Sequence, residues 1–408
     1  MLRRIVLALT LGTALLVASA PAASAHGERA QEAFLKMRTV GWVNVEFTGG
    51  EVRQGESGAD EIFVGQGEEF TITGITTLLS AWPNTLAGGD PHTGFINVIA
   101  PGPVVTLREK TINGVSAPHR IEIGKGGIYE FDMTIAGRTV GRWHVHPSFS
   151  VKGAGTLLGP GRWINVEPVD GYTNPVTLAN GKVINLENYQ LSFVWIYSLI
   201  TFIIGVAWML YWTLRKRTVQ NLAVTSQIPL NTDGMSVGLI LKEDHRNMNW
   251  FLIVTLVLTV GMFIYQGVAW PDKLPQQVIE FAPPAFEQAG AVPVATGIQA
   301  AYDADTTTVT MKAEITNAGD RDIVLTEFTT STLTFVEDPA LDEATLVVAP
   351  GGAVGAGETT ALTLTLADPR WEDDKLIPTT ESQLEIVGLL VFDDGTFAEV
   401  HAPLKLEF

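Results

Sequence analysis

The chain contains no cysteine among its 408 residues. Blue-copper centres, iron–sulfur clusters and cysteine-based zinc sites all need thiolate ligands, so each is excluded. Disulfide staples are excluded as well, and any domain outside the cytoplasm must hold together by packing alone. Charge is also scarce: charged residues make up 17% of the chain. A positive mean hydropathy of +0.21 accompanies that scarcity and directs attention to membrane segments. No phosphate-cradling glycine loop and no nucleophile elbow is found. Any metal site must therefore be built from histidine, carboxylate, methionine or backbone groups, and there are seven histidines.

What charge there is lies unevenly. Residues 271–408 hold 24 acidic and 6 basic side chains, against 20 of each in the first 270, so the net charge of −18 sits entirely in the C-terminal part. Such a surface argues against nucleic acid as a partner. The adjacent carboxylates Asp373-Asp374 and Asp393-Asp394 face opposite ways on a strand and read as solvated rather than as catalytic pairs.

Residues 1–25 read as a secretory signal peptide, with Arg3 and Arg4 before the apolar stretch Ile5 to Val17 and Ala23-Ser24-Ala25 as the cleavage site. Cleavage there makes His26 the first residue of the mature protein. Leu191 to Leu214 and Trp250 to Trp270 carry no charge, and about 20 apolar residues cross the ~30 Å hydrocarbon core. Trp195, Trp212, Trp250 and Trp270 stand near the expected interfaces. Arg215-Lys216-Arg217, Lys242 and Arg246 place the connecting loop in the cytoplasm, which leaves both flanking parts on the extracytoplasmic side. The expected organisation is a signal peptide (1–25), an N-terminal β domain (26–185), a first transmembrane helix (186–214), a cytoplasmic loop (215–249), a second transmembrane helix (250–270) and an acidic C-terminal β domain (271–408).

Both flanking parts read as mainly β. Trp42 to Phe47, Phe70 to Thr73 and Val140 to His146 alternate in the first, with Pro101-Gly-Pro103 and Gly159-Pro-Gly161 as turns. A sandwich or small barrel follows, with a short helix over Glu28 to Lys36. In the second, Thr307 to Ile315, Ile323 to Phe328, Thr332 to Val336, Thr359 to Leu366 and Leu384 to Phe392 predict a β-sandwich, with a turn at Asn317-Ala-Gly319. His401 stands alone in that half.

Gly141-Arg-Trp-His-Val-His146 carries the sharpest chemistry. On a strand, residues i and i+2 share a face, so His144 and His146 project together while Trp143 and Val145 point the other way. His26 adds an imidazole and, after cleavage, a free α-amine titrating near ~7.7–8. Three or more nitrogens without thiolate suit Cu(II), with zinc as the competitor. His92, His119 and His245 read as a turn residue, a surface residue and a cytoplasmic one.

These motifs resemble the B subunit of the copper membrane monooxygenases, the family that includes particulate methane and ammonia monooxygenases. The similarity runs through His26-Gly-Glu28, Met37-Arg-Thr39 with Trp42, Phe95 to Val104, Arg142 to His146, Gly159 to Trp163, Asn174 to Thr177, Leu186 to Tyr189, Gly205 to Trp208 and Ala402-Pro-Leu404. It implies two extracytoplasmic cupredoxin-like β-sandwich domains joined by two membrane-spanning helices, with copper on His26, His144 and His146. It also implies subunits A and C as partners, a trimer of heterotrimers in the bilayer, and O2 with a small apolar substrate. Methanotroph members carry a second, two-histidine copper site, whose positions fall at Gly41 and near Thr77; neither is histidine here. That departure fits a divergent member acting on short-chain alkanes such as ethane to butane. Two other functions compete with this one: a membrane-tethered copper carrier or store, and a purely structural scaffold.

Overall fold

A computed structural model of the chain describes residues 38–55, 58–84, 86–117, 119–178, 181–214, 242–270, 280–288, 290–303, 305–331, 334–337, 344–368 and 384–407. The signal segment with His26, the expected helix over Glu28–Lys36, and residues 215–241 lie outside them. The chain divides into two compact units, Met1–Tyr172 with Val278–Phe408, and Thr173–Gln277.

The first unit is all β in its described strands and has two lobes. The N-terminal lobe is made by β1 (Val40–Thr48), β2 (Glu51–Gln54), β3 (Asp60–Gly65), β4 (Glu69–Leu78), β5 (Thr93–Ile99) and β6 (Val105–Ile112). It continues with β7 (Val115–Ser116), β8 (Ile121–Glu122), β9 (Ile128–Gly137), β10 (Gly141–Val151), β11 (Gly155–Leu158) and β12 (Arg162–Glu167). One sheet runs β1-β4-β9-β6-β7 and the other β2-β3-β12-β10-β5-β8, with β11 also on β10. β4 shows why these segments are strands: Phe70, Ile72, Gly74 and Thr76 are buried and alternate with half-buried polar or branched residues. Aromatic edges close the core, with Tyr129 and Phe149 meeting across the two sheets at 5.7 Å and Trp42 and Phe131 meeting within the first sheet at 5.8 Å.

The second unit holds the hairpin β13 (Pro175–Thr177) and β14 (Val183–Asn185), then α1 (Leu191–Thr213) and α2 (Lys242–Ala269). Both helices are long and apolar enough to cross a membrane. α2 begins eight residues before Trp250, and its first turn carries Glu243 and Asp244, which suit a helix N-terminus. Asp244 is buried and accepts a hydrogen bond from the Tyr211 hydroxyl at 2.9 Å, while Asn247 donates to that hydroxyl at 3.1 Å. Trp208 packs on Phe251 at the same end and Phe193 on Trp270 at the other.

The C-terminal lobe of the first unit is made by β15 (Val294–Asp303), β16 (Thr308–Thr316), β17 (Ile323–Thr329), β18 (Thr334–Val336) and β19 (Thr345–Ala349). β20 (Ala353–Val354), β21 (Thr359–Ala367), β22 (Leu384–Phe392) and β23 (Phe397–Glu407) complete it. The order is β18-β19-β21-β16-β15-β23-β22-β17-β20, and β18 also pairs β17, so the two layers expected of a sandwich are joined along their edges. On β16, Val309, Met311 and Ile315 are fully buried, each contributing about 1.5–3 kcal/mol, while Lys312 and Glu314 point out.

The two lobes share a third apolar cluster: Val43 and Leu79 from the first, with Val387, Leu389, Val391 and Phe397 from the second. Polar contacts ring it. Arg38 donates to Glu385 at 3.0 Å, and the Ser80 amide and hydroxyl both donate to Glu399 at 2.8 and 2.9 Å. His401 joins this ring through Glu399 at 2.8 Å, the Ser80 hydroxyl at 3.1 Å and Glu385 at 3.6 Å. It is therefore not the isolated histidine that the sequence suggested; its neighbours arrive from strands paired in space. Nor are Asp393 and Asp394 simply solvated. Asp393 accepts from the Val324 amide on the neighbouring β17, while Asp394 closes the β22–β23 turn by accepting from Thr396 and pairs with Arg321.

Candidate metal centre

β10 changes partners midway. Gly141 to Val145 pair with β12, whereas His146 to Val151 pair with β5, and Ser148 to Val151 also take β11. Pro147 lies at the change and has no amide hydrogen to give to a ladder. Opposite it, Gly159-Pro-Gly161 forms the gap between β11 and β12. The His146 ring occupies that gap. A Cβ on Gly161 would fall 2.4 Å from its Cε1, so only glycine leaves the ring its place. A Cβ on Gly159 would meet the Trp42 ring at 2.9 Å.

Val145 is fully buried, so β10 turns His144 and His146 together to the face away from the core, as the alternation required. His146 is 4% exposed; its Nδ1 lies 2.8 Å from the Gly159 carbonyl. A carbonyl only accepts, so Nδ1 carries the hydrogen and the neutral ring keeps its lone pair on Nε2. That Nε2 accepts a hydrogen bond from His144 Nδ1 at 2.9 Å, a hydrogen that moves to the far nitrogen of His144 if both rings take one ion, and the rings cross edge to face at 4.4 Å. Two nitrogens bound at right angles on one ion, each ~2.0–2.1 Å from it, lie about 2.9 Å apart. A ring that donates its other nitrogen's hydrogen to a carbonyl is the usual arrangement of a ligating histidine. The pair thus fits a metal that prefers imidazole. Among the described residues, no third His, Asp or Glu completes a ligand group, and His26 lies outside them.

A support not foreseen from the sequence extends from His144. Trp163, the cross-strand neighbour of His144, packs against its ring with centroids 4.8 Å apart and planes tilted by 36°. Arg142 lies over the same indole at 3.7 Å. Its guanidinium donates through Nε and Nη2 to Glu61 on β3, at 3.0 and 2.5 Å, and Asn165 donates to the same carboxylate at 2.7 Å. Arg142 holds the Glu61 carboxyl below the usual carboxylate range. Glu61 is 1% exposed, and a Cβ on Gly55 would strike it, so the β2–β3 turn covers it.

The remaining histidines stand apart from this centre. His92 is exposed beside Asp90, His245 is exposed on α2, and His119 is half-buried in a connecting segment. Gly41 and Thr77 face each other across β1 and β4. Leu389 fills the space beside Gly41, where a Cβ would lie 2.4 Å from its Cδ1.

Comparison with known proteins identifies the family. The particulate methane monooxygenase alpha subunit of Methylococcus capsulatus (strain Bath) is 29% identical over 407 residues, covering 95% of this chain and 94% of that protein. Among solved structures, the cupredoxin domain of amoB from Nitrosocaldus yellowstonii matches 35% of this chain and 99% of its own length, at 13% identity and a TM-score of 0.23. The family model of the monooxygenase B subunit protein matches residues 27–405. The chain therefore belongs to the family of monooxygenase B subunits, and is one component of a membrane monooxygenase.

Proposed function

We propose that this chain is the copper-binding subunit of a membrane-bound complex that uses O2 to hydroxylate a small substrate, with a short-chain alkane favoured over methane or ammonia. The observation that carries the reading is the His144–His146 pair, whose facing ring nitrogens lie 2.9 Å apart, with the His146 tautomer fixed by the Gly159 carbonyl. His26, exposed by signal cleavage, supplies the imidazole and α-amine that complete the ligand set. Copper bound there supplies redox chemistry toward O2 that no side chain provides. The chain's own residues hold the ligands, exclude water from His146 and orient its ring through the Gly159 carbonyl. Subunits A and C are the partners, as a trimer of heterotrimers, and both β lobes lie on the extracytoplasmic side. The alkane preference rests on the lack of histidine at Gly41 and near Thr77, where methane-oxidising members carry it, and on Leu389, which fills the space beside Gly41.

The test begins with native membranes bearing wild-type or His144→Ala chain, matched for copper supply and assembled complex. The variant should lose one copper per chain and oxidation of ethane to butane. Wild-type copper content in the variant removes the site assignment. Retained copper with no oxidation of methane, ethane, propane, butane or ammonia by the wild type favours the alternative, a tethered copper carrier.

A further inference from the structure

Arg142, His144 and His146 stand in a row on one face of β10, and Trp163 and Asn165 continue that face on β12. Glu61 closes the row from β3. Nothing in the ligand set requires this row. A buried carboxylate on the outer face of a sheet is costly unless it holds something in place. Here it fixes a guanidinium by a two-nitrogen fork and holds that guanidinium over the indole that His144 also packs against.

We infer that Glu61, Arg142 and Trp163 are positioning residues that fix the His144 ring and set the reduction potential of the copper it holds. This rests on the copper reading above. The indole gives His144 a flat wall, so the ring's rotation about its bond to the strand is restricted before a metal arrives. The guanidinium brings a fixed positive charge to the same indole, and a nearby cation favours the less charged, reduced ion. Glu61 offsets that charge and keeps the guanidinium from turning away. The pair therefore acts in two separable ways: its charge on the potential, and its shape on the ring.

The two effects are read in the assembled complex in native membranes, loaded with copper. The signal of this site is the electron paramagnetic resonance spectrum of wild type minus that of His144→Ala, with an anaerobic redox titration of the same signal. Glu61→Gln leaves the Arg142 charge unopposed and should raise the midpoint. Arg142→Gln should lower it. Arg142→Lys keeps the charge but loses the flat stacking; it should keep a near wild-type midpoint and change the copper hyperfine pattern, as should Trp163→Phe. Arg53→Gln is the control: Arg53 also lies over a ring, Phe63, on the same sheet, and its change should move neither readout. Full copper occupancy with unchanged midpoint and hyperfine pattern in Glu61→Gln and Trp163→Phe overturns the inference while leaving the copper site standing. A wild-type complex with no His144-dependent copper signal removes the copper reading and this inference with it. Should Glu61→Gln fail to assemble, Arg142→Lys and Trp163→Phe carry the decision.

Discussion

At the scale of single residues, the centre depends on what is missing as much as on what is present. Gly161 has no side chain because the His146 ring lies where one would go. Gly161→Ala should displace that ring from the Gly159 carbonyl and free its tautomer. Groups that orient a ligating histidine are typically worth 10–100-fold in metal affinity, and a loss of that order is expected by titration with copper. Overpacking should cost about 1–3 kcal/mol of stability, so the variant should remain folded by circular dichroism at 25 °C. A variant that binds copper as tightly as wild type would show that the ring finds its position without the glycine.

At the scale of elements, strands that meet only in space build an interface sensitive to pH. His401 on β23 is raised above the ordinary histidine value, first by its hydrogen bond to Glu399 and further by the charges of Glu399 and Glu385, with burial opposing. Arg38 and Ser80 from the first lobe complete its surroundings. A raised histidine stabilises the fold fully below its unfolded value, near ~6.5, and loses that contribution as pH rises through the folded value. The melting temperature of the purified chain should therefore fall between pH 6 and 8, and His401→Gln should flatten that slope; an equal slope in both would rule out the clasp. The same scale shows what could be read from the sequence. Alternation announced β10 and β16, and the face shared by His144 and His146 followed from it, whereas β22 was readable as a short apolar run. The clasp and the Glu61 support were not legible, since the pairs Arg142–Glu61, Ser80–His401 and Arg38–Glu385 stand 81, 321 and 347 residues apart and meet only through strand order. Glu61 looks like one more surface acid until the β2–β3 turn is laid over it. The gap at Gly159-Pro-Gly161 was legible as a turn, but not as the seat of a ring, because periodicity says nothing of a neighbour's side chain.

At the scale of the whole molecule, two apolar helices of 23 and 28 residues separate two β lobes that nonetheless form one compact unit. With both helices crossing the membrane, as proposed above, the two lobes share one side of it. The lack of cysteine makes that placement easy to examine. Val347→Cys, exposed on β19, should react with a membrane-impermeant thiol reagent added outside intact cells. His245→Cys, exposed at the start of α2, should react only after the membrane is opened. Labelling of both from outside would overturn the orientation.

The shared cluster between the lobes has a consequence in time. Ser80 and Glu399 are 319 residues apart, and Val43 and Leu79 are covered by side chains from β22 and β23. At roughly 5–20 residues per second of synthesis, the first lobe, finished at Glu167, waits on the order of 10–45 s for its cover to be made. During that interval an apolar face stands open on a lobe that is otherwise finished. The order in which the chain is written thus creates a dwell during which a chaperone has something to hold, and a chain halted before β22 keeps that face exposed as a mark of its incompleteness.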